Sequence, residues 1–425
     1  RYDAQFLYAD QGLALALPNQ WSPRIGVIYD PTQKGSAKLF ANYAVYYQSL
    51  PLNIMDRAGS GEPQVRSRRA IADCDPLNTD GYPGSCEDPA NLVTIPGKGA
   101  YDPNQIWAYT SVGTFVVDPD VDAPRSSELS LGGEYELIPG GRLGLTYIRR
   151  WVNTAIEDMS RDEGSTFFIG NPGHGIASDF PEVERTYDAG ILSFTKTFSD
   201  LWLAQASYTL SYLRGNWDGL FRPETGQLDP GTNSDFDLIS IMANRTGPLN
   251  GDRRHEIKLF GARDIVITPQ HHINLGASYR ARSGAPTNYL GSHIVYGPDE
   301  VFILPRGSGE RLPWQHTVDA HLGYTFLKTE AQTLAITCDI FNLFNIRSVA
   351  TRGQRYTNRD VEPITGVSAE DALVNGNKRE INPALIQPSD GDPRPFDDSD
   401  VARSFGAPTN YLEPISFRIG VKSTF

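Results

Sequence analysis

The chain has 425 residues, enough for one large domain or two ordinary ones, and a formal net charge of -13. That balance excludes a nucleic-acid partner, whose phosphates require concentrated Lys and Arg. No stretch approaches 18 apolar residues, which excludes a membrane-spanning helix but not a β-barrel, whose strands are individually weak signals.

The opening RYDAQFLYAD lacks a charged start followed by an apolar run, so it is not a signal peptide. If the protein is exported, the signal is expected outside this chain. From there the regular segments alternate with period 2. The first is SPRIGVIYD (22–30), followed after PTQKG by SAKLFANYAVYY (36–47). A long tract rich in Pro, Gly and Asp follows, near 48–123, with a short strand expected around IWAYTSVGTFVV.

Within that tract, Cys74 and Cys86 share DCDPLNTDGYPGSC, with no nearby His or third Cys to make a zinc site. A disulfide formed in an oxidising compartment is the expected reading. Cys338 lies inside a strand pattern and reads as a small buried or lipid-facing hydrophobe.

The alternation resumes at ELSLGGEYELI (128–138), which turns at PGG into RLGLTYIRRW (142–151). A loop near 152–184 leads to RTYDAGILSFTKTF (185–198), which turns at Ser199 and Asp200 into LWLAQASYTLSYLRG (201–215). After a loop near 216–250 come RRHEIKLFGARDIVI (253–267) and HHINLGASYRARSG (271–284). A loop near 285–313 precedes WQHTVDAHLGYTF (314–326) and QTLAITCDIFNLFN (332–345). The last long loop, near 346–411, leads to the terminal SFRIGVKSTF.

Tight turns at one end thus alternate strictly with long connections at the other. Structureless loops of such length are rare in compact soluble domains. Short turns on one side and long loops on the other are the signature of an outer-membrane barrel. Tyr47, Tyr147, Trp202, Tyr212 and Phe326 stand on the outward parity near strand ends, where rings suit the membrane–water boundary. Ile415, Phe417, Ile419, Val421 and Phe425 are expected to face lipid, and Arg418, Gly420 and Lys422 the lumen. The segments make eleven strands, whose first and last run the same way. They cannot close antiparallel on themselves, and an open edge in hydrocarbon is costly.

Several of these segments resemble one family. ANYAVYYQSLPLNIMDRAGSGE (41–62), SELSLGGEYELIPGGRLGLTYIRRWVNTAIEDM (127–159), GPLNGDRRHEIKLFGARD (247–264), SYRARSGAPTNYLG (278–291), LAITCDIFNLFN (334–345) and the final Phe425 are similar to the C-terminal barrel part of TonB-dependent outer-membrane transporters, in the Oar-like branch. The resemblance implies an all-β fold: a transmembrane antiparallel β-barrel of about 22 strands, with 1–425 supplying about the last eleven. It implies a Gram-negative outer membrane and transport or receptor function; an outer-membrane enzyme is not expected, because no catalytic set of residues is found.

The implied partners are the remaining barrel strands and plug, the TonB complex, the outer-membrane assembly machinery and lipopolysaccharide. Phe417 and Phe425 would belong to the assembly signal. Neither plug nor TonB box is seen in this chain. The implied cargo is an unidentified substrate, with peptide or protein as the expectation. A plug-less porin or surface adhesin is the alternative.

Catalytic patterns are absent. His271 and His272 are neighbours in a strand and so face opposite ways, and His316 and His321 have opposite parities, giving turn or lumen positions without a catalytic role. Arg253, Arg254 and Glu256, beside His255, form a charged cluster where a loop enters a strand, read as a rim network or as a contact for ligand or lipopolysaccharide. Arg280 and Arg282 share the interior parity and suit plug packing or an anionic substrate. The acidic tracts DPDVDAP (118–124) and SDGDPRPFDDSD (389–400) offer oxygen ligands for calcium. Both lack the twelve-residue loop spacing, so a solvated acidic surface is the simpler reading and no metal site is assigned.

Overall fold

Period-two alternation becomes one large antiparallel sheet. The structure, a computed structural model, describes residues 1–9, 12–50, 64–67, 106–110, 116–219, 221–227, 234–329 and 332–424. Cys74, Cys86 and Phe425 lie outside these residues, as does the expected disulfide with them.

Eleven strands form the main path of the sheet: β1 (Arg24–Tyr29), β2 (Ala37–Tyr47), β3 (Arg125–Ile138), β4 (Gly141–Thr154), β5 (Arg185–Ser199), β6 (Trp202–Gly215), β7 (His255–Val266), β8 (His272–Arg282), β9 (Gln315–Lys328), β10 (Thr333–Phe341) and β11 (Ser416–Thr424). All are paired with sequence neighbours, and the two-residue strand Gly247–Pro248 adds to β6. The turn between β5 and β6 is two residues long, with Asp200 at φ 53° and Leu201 at φ 64°, the left-handed pair that matches strand twist. Between β1 and β2, Asp30 accepts from the Thr32 amide at 2.9 Å and from the Gly35 amide at 2.7 Å, an Asx-type closure.

Directly opposed residues share a face, so the register sorts the side chains. Ile265, Ile273, Tyr324, Ile336 and Val421 form one row across five strands. Cys338 stands on this apolar face between Leu322 and Ile419. The opposite face carries Thr209, Glu256, Arg282 and Gln315 in one row, and Gly276, His321, Asp339 and Arg418 in another.

The apolar face has aromatic borders. Tyr208 and His255 stack at 6.1 Å, Tyr279 and His316 at 6.2 Å, and His271 and Tyr324 at 6.0 Å. In each pair the phenol meets the imidazole Nδ1, at 2.8, 3.0 and 2.9 Å respectively. Each His sits two residues before the cross-strand partner of its Tyr, namely Ile257, Val318 and Ile273. Trp314 stacks between His255 and His316, so five rings make a continuous ladder at the long-loop border. His316 therefore lies on the apolar face, not in a turn or on the polar side. Its parity with Val318 and Leu322 decides this.

β1 and β11 are the two edges, and they run in the same direction. Every described residue of β1 is exposed, and Phe417, Ile419 and Val421 of β11 are 64, 77 and 76% exposed.

Among the described residues, the connections expected as loops carry short strands and packed cores of their own. Residues 290–302 and 355–360 form a three-stranded sheet, and Glu157–Met159, Phe168–Gly170 and Val116–Val117 form another. Among the described residues, three cores hold them. Tyr289, Ile303 and Tyr356 join the 283–314 and 342–415 connections. Met159, Phe180, Trp217 and Phe236 join 155–184 to 216–254. Leu15, Leu17, Val121 and Ile169 join residues 121–123 and 156–169 to a hairpin, Tyr2–Ala9 with Gly12–Trp21, that precedes the first strand expected from sequence. Each fully buried Ile, Leu or Phe contributes about 1.5–3 kcal/mol, enough for such caps to be ordered.

Candidate functional site

Two loops are locked together by buried charge. Arg222, Arg245 and Arg306 converge on Asp235, at 3.5, 2.8 and 3.2 Å. Arg306 also meets Asp218 at 2.8 Å, and Arg222 pairs with Glu300. All six side chains are nearly or wholly removed from water. The face of Phe302 packs under Arg306 at 4.6 Å and under Arg245 at 5.4 Å. Burial dominates the proton affinities: Asp218 is pushed up to about 7 despite Arg306, and Arg245 is pushed down to about 10, first by burial and then by Arg222. Such a hub rigidifies more than it stabilises, since removing charges from water costs most of what pairing returns.

Beside the hub lies a cavity of about 700 Å³. Its walls come from three connections: Phe221, Glu224, Asn250 and Arg253 from 216–254, Thr287 and Asp299 from 283–314, and Arg352 and Thr409 from 342–415. Gly284 makes the near wall feasible, because a Cβ there would stand 1.5 Å from the Leu312 carbonyl oxygen. That close approach lets the Leu312 amide donate to the Ala285 carbonyl at 2.9 Å.

Below the cavity, arginine outnumbers its partners. Buried Asp252 takes Arg254 at 3.0 Å and Arg311 as well. Glu256 takes Arg280 at 2.6 Å and Lys258 at 2.8 Å. Arg282 donates to the neutral Gln315 at 2.6 Å. Arg253, which lines the cavity, has only a long contact of 3.4 Å to the Ser283 carbonyl and no carboxylate within 4.0 Å among the described residues. Burial first, then Arg282, Arg311 and Arg280, push Arg253 down to about 10, so it remains a cation at neutral pH.

The sequence family "TonB dependent receptor-like, beta-barrel" matches residues 1–343. The chain belongs to the TonB-dependent receptor family. Its relatives include the TonB-dependent transporter Oar of Myxococcus xanthus, 45% identical over 438 residues, covering 100% of this chain and 40% of that protein. The chain thus spans well under half of the length of that relative. Among solved structures, the outer membrane transporter YddB from Escherichia coli is similar over 78% of this chain and 38% of its own, at TM-score 0.44 and 13% identity. The ferric enterobactin receptor PfeA from Pseudomonas aeruginosa is similar over 96% of this chain and 41% of its own, at TM-score 0.41 and 14% identity. The family is one of β-barrels in the Gram-negative outer membrane.

In this TonB-dependent receptor barrel the residues singled out from sequence separate. Arg253 and Arg254 diverge: Arg253 lines the cavity, whereas Arg254 stacks over Tyr212 at 4.3 Å. Glu256, Arg280 and Arg282 are brought together on the polar face. Arg418 is elsewhere on that face, held by Asp339 at 2.8 Å, and Lys422 lies opposite Ala335. The 389–400 tract is occupied by arginine. Arg359 holds Asp390 at 2.7 Å and Arg394 holds Asp397 at 2.7 Å. In 118–124, Asp118 accepts from the backbone amides of Asp120 and Ile176, both at 2.9 Å. The described residues contain no group of three or more acidic, His or Cys side chains arranged to hold a metal. Arg222, Asp235, Arg245, Glu300 and Arg306 were missed from sequence, because isolated charges in irregular segments carry no periodic signal.

Proposed function

We propose that this chain is the barrel part of an active transporter or receptor that moves or presents a substrate across the outer membrane. The apolar face would lie in hydrocarbon and the polar face would line the interior, with about 22 strands in all when further strands bridge the exposed edges β1 and β11. A plug would occupy the interior and couple to TonB. The observation that carries this reading is the two-faced register of the sheet with every folded connection gathered at one end, in a chain of this family.

The cargo we propose is a peptide or protein, since the folded loops offer a large, polar and rigid receiving surface. The ring ladder from Tyr208 to Tyr279, with Arg254 nearby, suits contact with lipopolysaccharide headgroups. Cells producing the full-length protein, with and without functional TonB, test the reading. Accumulation of peptide cargo should require TonB. Equal accumulation without it would replace active transport by a plug-less porin or an adhesin.

A further inference from the structure

Most polar walls of the loop cavity are already engaged. Arg355 pairs with Asp299, Arg352 meets Glu310 at 3.0 Å, the Gln354 amide oxygen accepts from the Asn288 backbone at 2.7 Å, and Thr351 meets Thr409 at 2.8 Å. Two side chains of opposite charge differ. Arg253 has no carboxylate partner among the described residues. Glu224 uses one oxygen to accept from Asn288 at 3.1 Å; its other oxygen has no hydrogen-bond partner among the described residues, although the buried Arg222 and Arg306 act on its charge. A desolvated charge without a carboxylate partner is costly, so Arg253 favours a carboxylate in a ligand, and the acceptor capacity left on Glu224 favours a charged donor. The volume, about 700 Å³, lies within the ordinary range of about 300–1,000 Å³ for small-ligand sites and is far too small for a folded domain.

We propose that this cavity binds a short zwitterionic peptide segment, its carboxylate on Arg253 and its ammonium on Glu224. The assignment rests on the transport reading above and narrows its substrate class. Arg280, Arg282 and Arg311 surround Arg253 and strengthen attraction for the carboxylate. Chain termini satisfy both walls at once, as does a peptide with suitably spaced Asp or Glu and Lys or Arg.

The test uses the detergent-solubilised full-length receptor and a randomised pentapeptide pool in four forms: termini free, N-acetylated, C-amidated, and both blocked. Side chains in the pool are restricted to uncharged residues. Retention is read by mass spectrometry. The free form should be retained about tenfold over either singly blocked form, the size expected for one charge-assisted hydrogen bond. Arg253→Gln should abolish preference for the free carboxylate and keep that for the free amine. Glu224→Gln should do the reverse, and Arg253→Lys should restore part of the carboxylate preference. Equal retention of all four forms by the unmutated receptor would overturn the assignment without recourse to any variant. The same preparation is passed over immobilised TonB. A receptor that TonB retains but that ignores peptide termini sinks only the cavity assignment, whereas a receptor that TonB ignores sinks the transport reading.

Discussion

The indole Nε1 of Trp217 donates to Oε1 of Glu157 at 2.6 Å, and this bond joins two loops that are about 60 residues apart in sequence. Glu157 is fully buried, and Asp158 and Asp237 stand near it. Burial, above all, raises its proton affinity well beyond the ordinary carboxylate value of 4.5, although the Trp217 hydrogen bond opposes the shift.

The pH dependence of the loop cap follows from that burial. A carboxyl raised in the folded state binds its proton more tightly there than when unfolded. Its contribution to stability is therefore complete below the ordinary value and is lost as pH rises through the folded one. Asp218 acts in the same sense, between 3.8 and about 7. The Trp217 fluorescence transition of the loops should move to lower temperature as pH rises from about 4 to 7, with a shallower slope in Glu157→Gln and in Asp218→Asn. A wild-type slope of opposite sign would refute this.

Asp235→Ala should leave three buried guanidinium groups without their common partner. Breaking a buried pair in this way costs about 3–5 kcal/mol. Limited proteolysis should cut the 216–254 and 283–314 connections much faster, while the transmembrane sheet keeps its heat-modifiable migration on gels. Unchanged cleavage would show that the cores alone hold the loops.

Asn342→Ala should weaken the end of β10. The Asn342 side chain donates to the Glu413 carbonyl at 2.8 Å and accepts from the Ile346 amide at 2.9 Å, at a residue with φ 50°. Its removal gives up two part-buried hydrogen bonds, each worth about 0.5–1.5 kcal/mol. Thermal unfolding in detergent measures the loss.

The two faces of the sheet are separable by charge. Leu322→Arg, on the row that contains Cys338, should cost about 2–4 kcal/mol near the bilayer midplane. Thr337→Arg, on the polar row with Gly323 and Gly420, should cost little. Equal losses in folding into lipid would contradict the assignment of faces.

The sheet was legible because alternation survives on both faces of each strand. Leu275, Ala277 and Tyr279 against Asn274, Gly276 and Ser278 fix parity without any knowledge of neighbours. FNLFN was legible only as a motif. Its first Phe341 ends β10, and Asn342 and Asn345, both at φ 50°, turn the chain away, so the strand is shorter than its pattern. The hairpin at 2–21 had a signal in Leu13, Leu15 and Leu17, but Pro18 within the run counts against a strand. The cavity could not be read, because Glu224 and Arg253 stand far apart within one irregular connection and Arg352 lies in another, and their meeting depends on tertiary packing.

β8 carries half of one tyrosine–histidine pair at its upper end, Tyr279 with His316, and its neighbouring residue His271 meets Tyr324 at the lower end. The two β8-side rings are eight residues apart, roughly 27 Å along an extended strand and about 20 Å once a barrel tilt of about 40° is allowed for. The same small device repeated at both borders acts as a gauge of hydrocarbon thickness. A bilayer thicker than this spacing would have to pull polar imidazoles into the acyl region or thin itself around the protein, so these rings should set the depth at which the sheet floats.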